Sequence, residues 1–194
     1  MSRVAREIIE AVALALIVFL VVQTGVRNFK VEGASMQPTL EGGQYLLVNK
    51  LVYFRLDKER LSRVIPFWNV QQSTEQFSLR PPQRGEVIVF HYPRDTTKDF
   101  VKRVIGLPGE KIEVEGGDVF IDGKLLGEPY LRSRDTSSAK ATILGDNEYY
   151  VMGDNRRGSN DSRNWGPVAG ELVLGKVWFV YWPISKRHIV SGFP

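Results

Sequence analysis

Three segments of the chain carry residue types whose spacing could do chemistry. The first is Glu32-Gly33-Ala34-Ser35-Met36-Gln37-Pro38-Thr39-Leu40. Small residues ahead of Ser35 let backbone approach closely, so an extended substrate can lie alongside, and the fixed φ of Pro38 stiffens the turn that follows. A serine hydroxyl becomes a useful nucleophile only when a base takes its proton. The chain has no cysteine, which removes thiol nucleophiles, disulfides and thiolate metal sites together, and it has two histidines, His91 and His188. His91 closes an apolar run just before Pro93, and His188 lies in the basic tail Lys186-Arg187-His188; neither has an acidic partner close by in sequence.

The second segment offers a different base. In Asp99-Phe100-Val101-Lys102-Arg103-Val104-Ile105, strand alternation puts Phe100, Lys102 and Val104 on one face. Desolvation between apolar neighbours favours the neutral amine. An unperturbed lysine, with a pKa of about 10.4, is neutral in only roughly a few molecules in ten thousand at pH 7. Lowering it to roughly 7–8 recovers about three orders of magnitude of active base. The third segment, Gly153-Asp154-Asn155-Arg156-Arg157-Gly158-Ser159-Asn160-Asp161-Ser162-Arg163, is dense in short polar side chains and follows a strong strand. A calcium loop is one reading of it, but Arg156 falls where an EF-hand requires an oxygen ligand, and a solvated turn is the default. Taken singly, Ser35 reads as a loop residue and Lys102 as a strand lysine whose ammonium reaches water.

The elements that must position these residues are mainly β. Tyr45–Lys50, Glu86–Tyr92, Phe100–Ile105, Lys111–Glu115, Val119–Asp122, Glu148–Met152 and Glu171–Trp182 are short runs rich in β-branched and aromatic residues. Gly116-Gly117 and Asp122-Gly123 are hairpin signals. No helical period of useful length follows residue 30, so a single folded antiparallel β-sheet domain is expected over 27–194. Residues 55–84 read as an insertion, with a Gln/Ser/Thr-rich patch, Pro81-Pro82 at its end, and an apolar run from Val64 to Trp68 inside it. That run suits either the core or, through Phe67 and Trp68, a bilayer interface.

Ahead of the β region, AVALALIVFLVV runs from Ala11 to Val22 after Arg3, Arg6, Glu7 and Glu10. A helix over 8–26 would span about 28 Å, close to the hydrocarbon thickness of a bilayer. This predicts a short N-terminus at 1–7 and one transmembrane helix at 8–26. A cleaved signal peptide is the alternative, opposed by the lack of a small-x-small site after Val22 and by the nearness of Glu32. Arg27 and Lys30 balance Arg3 and Arg6, so charge does not orient the helix. The net charge of +4 suits an anionic membrane surface. With no dense basic stripe, zinc-finger spacing or RNA-binding aromatic signature, nucleic acid is not expected as a partner.

Together the three segments resemble those of bacterial type I signal peptidase, the Ser/Lys membrane protease family. Ser35-Met36 with Pro38-Thr39-Leu40 is similar to its nucleophile box, Lys102 to Gly109 to its general-base box, and Gly153 to Arg156 with Ser159, Asp161, Ser162 and Arg163 to its last box. The order of the boxes and the preceding apolar segment match as well. The resemblance implies Ser35 as nucleophile, Lys102 as general base, and Ser159 as a hydrogen-bond partner that orients the amine. It implies ion pairs Asp154–Arg103 and Asp161–Arg163, and shallow apolar pockets for small side chains lined by Val31, Met36, Leu40, Phe100 and Val101. It implies no cofactor and no metal. The expected substrates are signal peptides of exported preproteins cut after Ala-x-Ala, by a single-pass enzyme of the cell membrane, near the secretion translocon, with its catalytic domain outside the cytoplasm.

Two positions depart from the family pattern. Gly33 stands where some members carry a second serine that helps bind the oxyanion, leaving that task to the Ser35 N–H and another backbone group around Gly33; one such donor is worth roughly 3–4 kcal/mol. Arg157-Gly158 replaces an acidic-amide pair in the last box. Two other readings compete: a self-processing Ser/Lys protease, and a membrane-tethered β-domain that binds peptides without cutting them.

Overall fold

The computed structural model describes residues 3–53, 55–56, 77–78, 80–133 and 135–192, except for the side chains of Leu20, Val21, Val22, Thr24, Arg55, Leu56, Phe77 and Ser78. A helix, α1 (Arg3–Gly25), leads directly into the first strand. Its first turns carry the i,i+4 pairs Arg3–Glu7 and Arg6–Glu10, and its apolar side chains, among them Ile9, Leu14 and Phe19, are exposed. No helix among the described residues is long and apolar enough to cross a membrane.

The strands are β1 (Val26–Lys30), β2 (Tyr45–Asn49), β3 (Arg55–Leu56), β4 (Phe77–Ser78), β5 (Val87–Tyr92), β6 (Asp95–Gly106), β7 (Lys111–Glu115), β8 (Asp118–Ile121), β9 (Lys124–Leu125), β10 (Ala139–Ile143), β11 (Glu148–Met152), β12 (Val168–Ala169), β13 (Val173–Trp182) and β14 (His188–Ile189). A one-turn helix, α2 (Ser162–Trp165), follows the third polar segment. Every pairing among the described residues is antiparallel. Where one sheet was expected, the described strands form an eight-stranded sheet ordered β1-β2-β13-β5-β6-β11-β12, with β14 on β13, and a separate four-stranded sheet ordered β10-β7-β8-β9.

Alternation explains the division. In β5, Val87 and Val89 enter one core with Val31, Met36, Leu40, Leu46 and Val177, while Ile88 and Phe90 enter another with Val104, Tyr149, Val151 and Val168. A strand buried on both faces lies in the middle of a sheet. The third core joins Ile105, Tyr150 and Met152 at the ends of β6 and β11 to Ile112, Val114, Val119 and Ile121 of the smaller sheet. Both hairpin signals close tight turns: Gly116-Gly117 and Asp122-Gly123 have positive φ at both central residues, matching the right-handed twist of the strands they connect.

The strands that the sequence did not announce are β1 and the short edge strands. Val26–Lys30 carries Arg27, Asn28 and Lys30 and lacks the apolar run of an inner strand; it is an edge, paired along its whole length to β2. Of the insertion expected at 55–84, β3 and β4 pair with each other, so the excursion leaves and returns at one place. The apolar run Val64–Trp68 lies outside the described residues.

Candidate active site

Ser35 sits in a loop tethered at its base and turned inwards on both sides. The Val31 N–H donates to Gln44 O at 2.8 Å and the Gly43 N–H to Val31 O at 2.9 Å, closing the loop's neck. The Gln37 N–H donates to Ala34 O at 3.2 Å and the Leu40 N–H to Met36 O at 2.9 Å, so the chain coils immediately after the serine. That coil drives Met36 and Leu40 into the core, where they are 1% and 0% exposed. Gly33 has φ +80°, a conformation a side-chain-bearing residue adopts only with strain, although nothing would meet a Cβ there. The loop's own backbone therefore favours glycine over serine at this position.

Lys102 reaches Ser35 from β6, 67 residues away in sequence. Its Nζ donates to Ser35 Oγ at 2.9 Å and to Val101 O at 2.9 Å. It lies 5.3 Å from the centroid of the Phe100 ring and is 4% exposed. Burial pushes the amine down to about 8, against the upward pull of the Asp161 and Asp154 carboxylates. A base near that value is neutral in roughly one molecule in ten at pH 7, several hundred times the fraction of an unperturbed lysine. In the neutral state the same contact lets the amine accept the serine proton. Neither histidine bonds Ser35: His91 Nδ1 lies 2.8 Å from Asp99 Oδ1, its cross-strand neighbour, and His188 Nδ1 lies 2.9 Å from Lys186 O.

Arg103, next on the same strand, grips the same loop from another direction. Its Nε and Nη2 donate to the two oxygens of Asp154 at 2.8 and 2.6 Å, its Nη1 to Gly85 O at 2.6 Å and its Nη2 to Thr39 Oγ1 at 3.2 Å. Its guanidinium carbon lies 4.2 Å from the centroid of Tyr130. Thr39 Oγ1 in turn donates to Asp154 Oδ2 at 2.5 Å. A buried charge is tolerable when paired and hydrogen-bonded, as both partners of this pair are.

The second ion pair holds the polar segment itself. Arg163 Nε and Nη2 donate to Asp161 at 2.8 and 2.9 Å, while its Nη1 donates to Asp135 at 2.7 Å and to Ser137 Oγ at 2.7 Å. Asp161 also accepts the Gly153 N–H at 3.0 Å and caps α2. The next residues after Gly153 press on the nucleophile loop: the Asn155 N–H donates to Ser35 O at 3.0 Å and its Nδ2 to Ala34 O at 3.1 Å. A Cβ on Gly153 would stand 2.3 Å from Ser159 Oγ and 2.4 Å from Ser35 O, so only glycine fits between them.

A groove of about 610 Å³ opens beside the dyad, with Phe29, Val31, Leu46, Val89, Phe100 and Val101 among its walls. Of the residues named as pocket walls from the sequence, Val31, Phe100 and Val101 line this groove. Met36 and Leu40 do not, because the turn after Ser35 has folded them into the core. Ser159 also departs from expectation: its buried hydroxyl has no hydrogen-bond partner among the described residues, and the amine of Lys102 bonds Ser35 and Val101 instead. Among the described residues no group of His, Asp and Glu is arranged to hold a metal ion.

The model of the family described as signal peptidase, peptidase S26, matches residues 4–182. The chain belongs to that family. Signal peptidase I of Bacillus caldolyticus is 35% identical over 173 residues, covering 82% of this chain and 81% of the relative. A probable signal peptidase I-2 of Synechocystis is 32% identical over 178 residues, covering 86% and 70%. Signal peptidase IB of Staphylococcus aureus is 29% identical over 205 residues, covering 96% and 94%. With membership of the signal peptidase family comes serine endopeptidase activity that removes the signal peptides of preproteins.

Several residues that build the site carried no sequence signal of their own. Thr39 and Asn155 lie inside the first and third segments with no local partner, since the groups they bond lie 115 and 121 residues away. Glu128, Tyr130, Asp135 and Ser137 come from the irregular stretch between β9 and β10. There the short polar pattern gives no hint that Glu128 pairs Arg156 and Asp135 pairs Arg163.

Proposed function

We propose that Ser35 and Lys102 form the catalytic dyad of an enzyme that cuts preproteins after small-x-small sites of the Ala-x-Ala type. The observation that carries this reading is the 2.9 Å contact between a buried lysine amine and the serine hydroxyl beside an apolar groove. The neutral amine takes the Ser35 proton as Oγ attacks the scissile carbonyl. The Ser35 N–H, which bonds no acceptor among the described residues, stabilises the oxyanion with a second backbone donor near Gly33. Collapse of the intermediate breaks the peptide C–N bond, and the ammonium returns its proton to the leaving amine, which becomes the new N-terminus. Lys102 then deprotonates a water that attacks the acyl-enzyme, releasing the signal peptide's new carboxylate and restoring the serine.

The substrate would lie extended between the segment after β1 and the Lys98–Lys102 part of β6, using main-chain hydrogen bonds as an added strand does. Walls formed by Phe29, Leu46 and Phe100 leave space for alanine and oppose large side chains by steric cost. Asp154–Arg103 and Asp161–Arg163 act structurally, holding the loops that carry the dyad.

The N-terminal helix serves in this reading as a single-pass anchor in the cell membrane, with the β domain on the extracytoplasmic side near the translocon. What supports it is an α1 of 23 residues, roughly 35 Å long, whose exposed apolar side chains join none of the three cores. The charges in its first turns are paired at the helix surface, within reach of an interface, and the apolar run of the sequence continues through Leu20–Val22. The deciding experiment incubates the detergent-solubilised full chain with a preprotein carrying Ala-x-Ala. Cleavage that persists in Ser35→Ala would end the proposal.

A further inference from the structure

A second cavity, of about 350 Å³, lies next to the dyad and has a different character. Gln37, Pro38, Glu41, Arg132, Asp154 and Asn155 are among its walls. Asn155 separates it from the apolar groove, since its backbone N–H and side-chain amide bond the carbonyls of Ser35 and Ala34. The polar cavity therefore begins within two residues of the nucleophile. The part of a substrate before the cut fills the apolar groove under the function proposed above. A chain extended at about 3.3 Å per residue then has to continue past Ser35 and over Gln37 and Asn155.

The charges of this cavity are unequal in availability. Asp154 is buried and spent on Arg103 and Thr39. Glu41 is paired with Lys186, and that contact, with a smaller pull from the nearby Arg132, holds its carboxyl below the usual range. Arg132 is exposed and feels Glu41 only at a distance, that carboxylate being held by Lys186. We infer that the polar cavity receives the first residues after the cut, and that Arg132 there favours an acidic side chain in the released chain. This rests on the function proposed above and adds to it a specificity on the leaving side that the dyad and the apolar groove do not supply.

The test compares peptides identical through Ala-x-Ala and the first residue after it, carrying Glu-Glu, Gln-Gln or Lys-Lys at the next two positions. kcat/KM is measured with the full chain in neutral detergent. The native enzyme should prefer Glu-Glu over Lys-Lys by roughly three- to tenfold at low ionic strength, as expected for exposed charge pairs acting in attraction and repulsion. That ratio should shrink towards one in half-molar salt. Arg132→Gln should bring the ratio near one and Arg132→Glu should invert it. Cleavage of the Gln-Gln peptide by each variant reports that it is folded and turning over. An unchanged ratio in Arg132→Glu, or a native preference for Lys-Lys, overturns the assignment while leaving the protease reading intact. Failure of the native enzyme to cut any of the three peptides would instead count against the function on which the assignment rests.

Discussion

Thr39 and Asp154 stand 115 residues apart and share a 2.5 Å hydrogen bond from hydroxyl to carboxylate. With the Asn155 bonds to Ala34 and Ser35, it makes two consecutive residues clamp the nucleophile loop on both sides of the serine. Thr39→Val keeps the shape but removes the donor to Asp154 and the acceptor for Arg103. Leaving these buried groups short of a partner costs about 1–3 kcal/mol. In a chain of this size each kcal/mol lowers Tm by roughly 2–4 °C. Thr39→Ser should restore most of the loss. Thermal melts and kcat of the three proteins check this, and a Thr39→Val enzyme with native Tm and kcat would show that the clamp does not matter.

The lowered pKa of Lys102 sets a pH dependence whose sign is fixed by its role. The ammonium form is inactive as a base, so kcat/KM should rise with pH and level off above an apparent pKa of about 8. Lys102→Arg places a guanidinium that stays protonated throughout, and should lower kcat by at least about three orders of magnitude at every pH. A profile in the native enzyme that is flat from pH 6 to 9 would mean that Lys102 is not the titrating base.

Gly153 gives the sharpest steric prediction. The Cβ introduced by Gly153→Ala would meet the Ser35 carbonyl at 2.4 Å, and backbone cannot move aside as a flexible side chain can. The nucleophile loop must shift, and a displacement of about 1 Å at a reacting group can cost on the order of a hundredfold. The variant should lose kcat by about that factor while circular dichroism still reports a β-rich fold. Native turnover in Gly153→Ala would place the Ser35 loop elsewhere.

Much of this arrangement was legible in the sequence because its signals are local. The β-branched and aromatic runs at Glu86–Tyr92 and Lys111–Glu115, and paired turn residues at Gly116-Gly117, are read over a few positions, and the strands stand close to where those patterns put them. The fate of Met36 and Leu40 was not legible. Near Ser35 their apolar side chains read equally well as pocket wall or as core, and only the coil that brings the Leu40 N–H to Met36 O decides between them. The division into a larger and a smaller main sheet depends on Ile105 and Met152 packing against Ile112 and Val114, contacts that no local pattern specifies. Ser159 lay in the right box, yet membership of a box fixes neighbourhood and not the direction of a hydroxyl.

Glu86 begins a strand signal that gives no hint of its role as the acceptor of a buried network. Tyr53 Oη donates to it at 2.5 Å, Arg80 Nη2 at 2.5 Å, Lys176 Nζ at 2.8 Å and the Gln83 N–H at 3.0 Å. Burial by itself would raise this carboxyl; the bonds from Arg80, Lys176, Tyr53 and Gln83 outweigh it and hold the group at about 2, against an ordinary 4.5. Because the folded pKa lies below the unfolded one, the network's stabilisation is complete above about pH 4.5 and is lost as pH falls towards 2. The shift corresponds to stability on the order of 3 kcal/mol. Glu86→Gln removes the titrating group and leaves Arg80 and Lys176 without their shared carboxylate. Urea denaturation should therefore find the variant less stable than the native chain at pH 7 by a few kcal/mol, with the gap closing as the pH is lowered to 3. Lys176→Met, which keeps the carboxyl and removes one donor, should move the acid transition of stability to higher pH. Parallel stability curves for the native chain and Glu86→Gln between pH 7 and 3 would show that Glu86 does not carry this acid sensitivity.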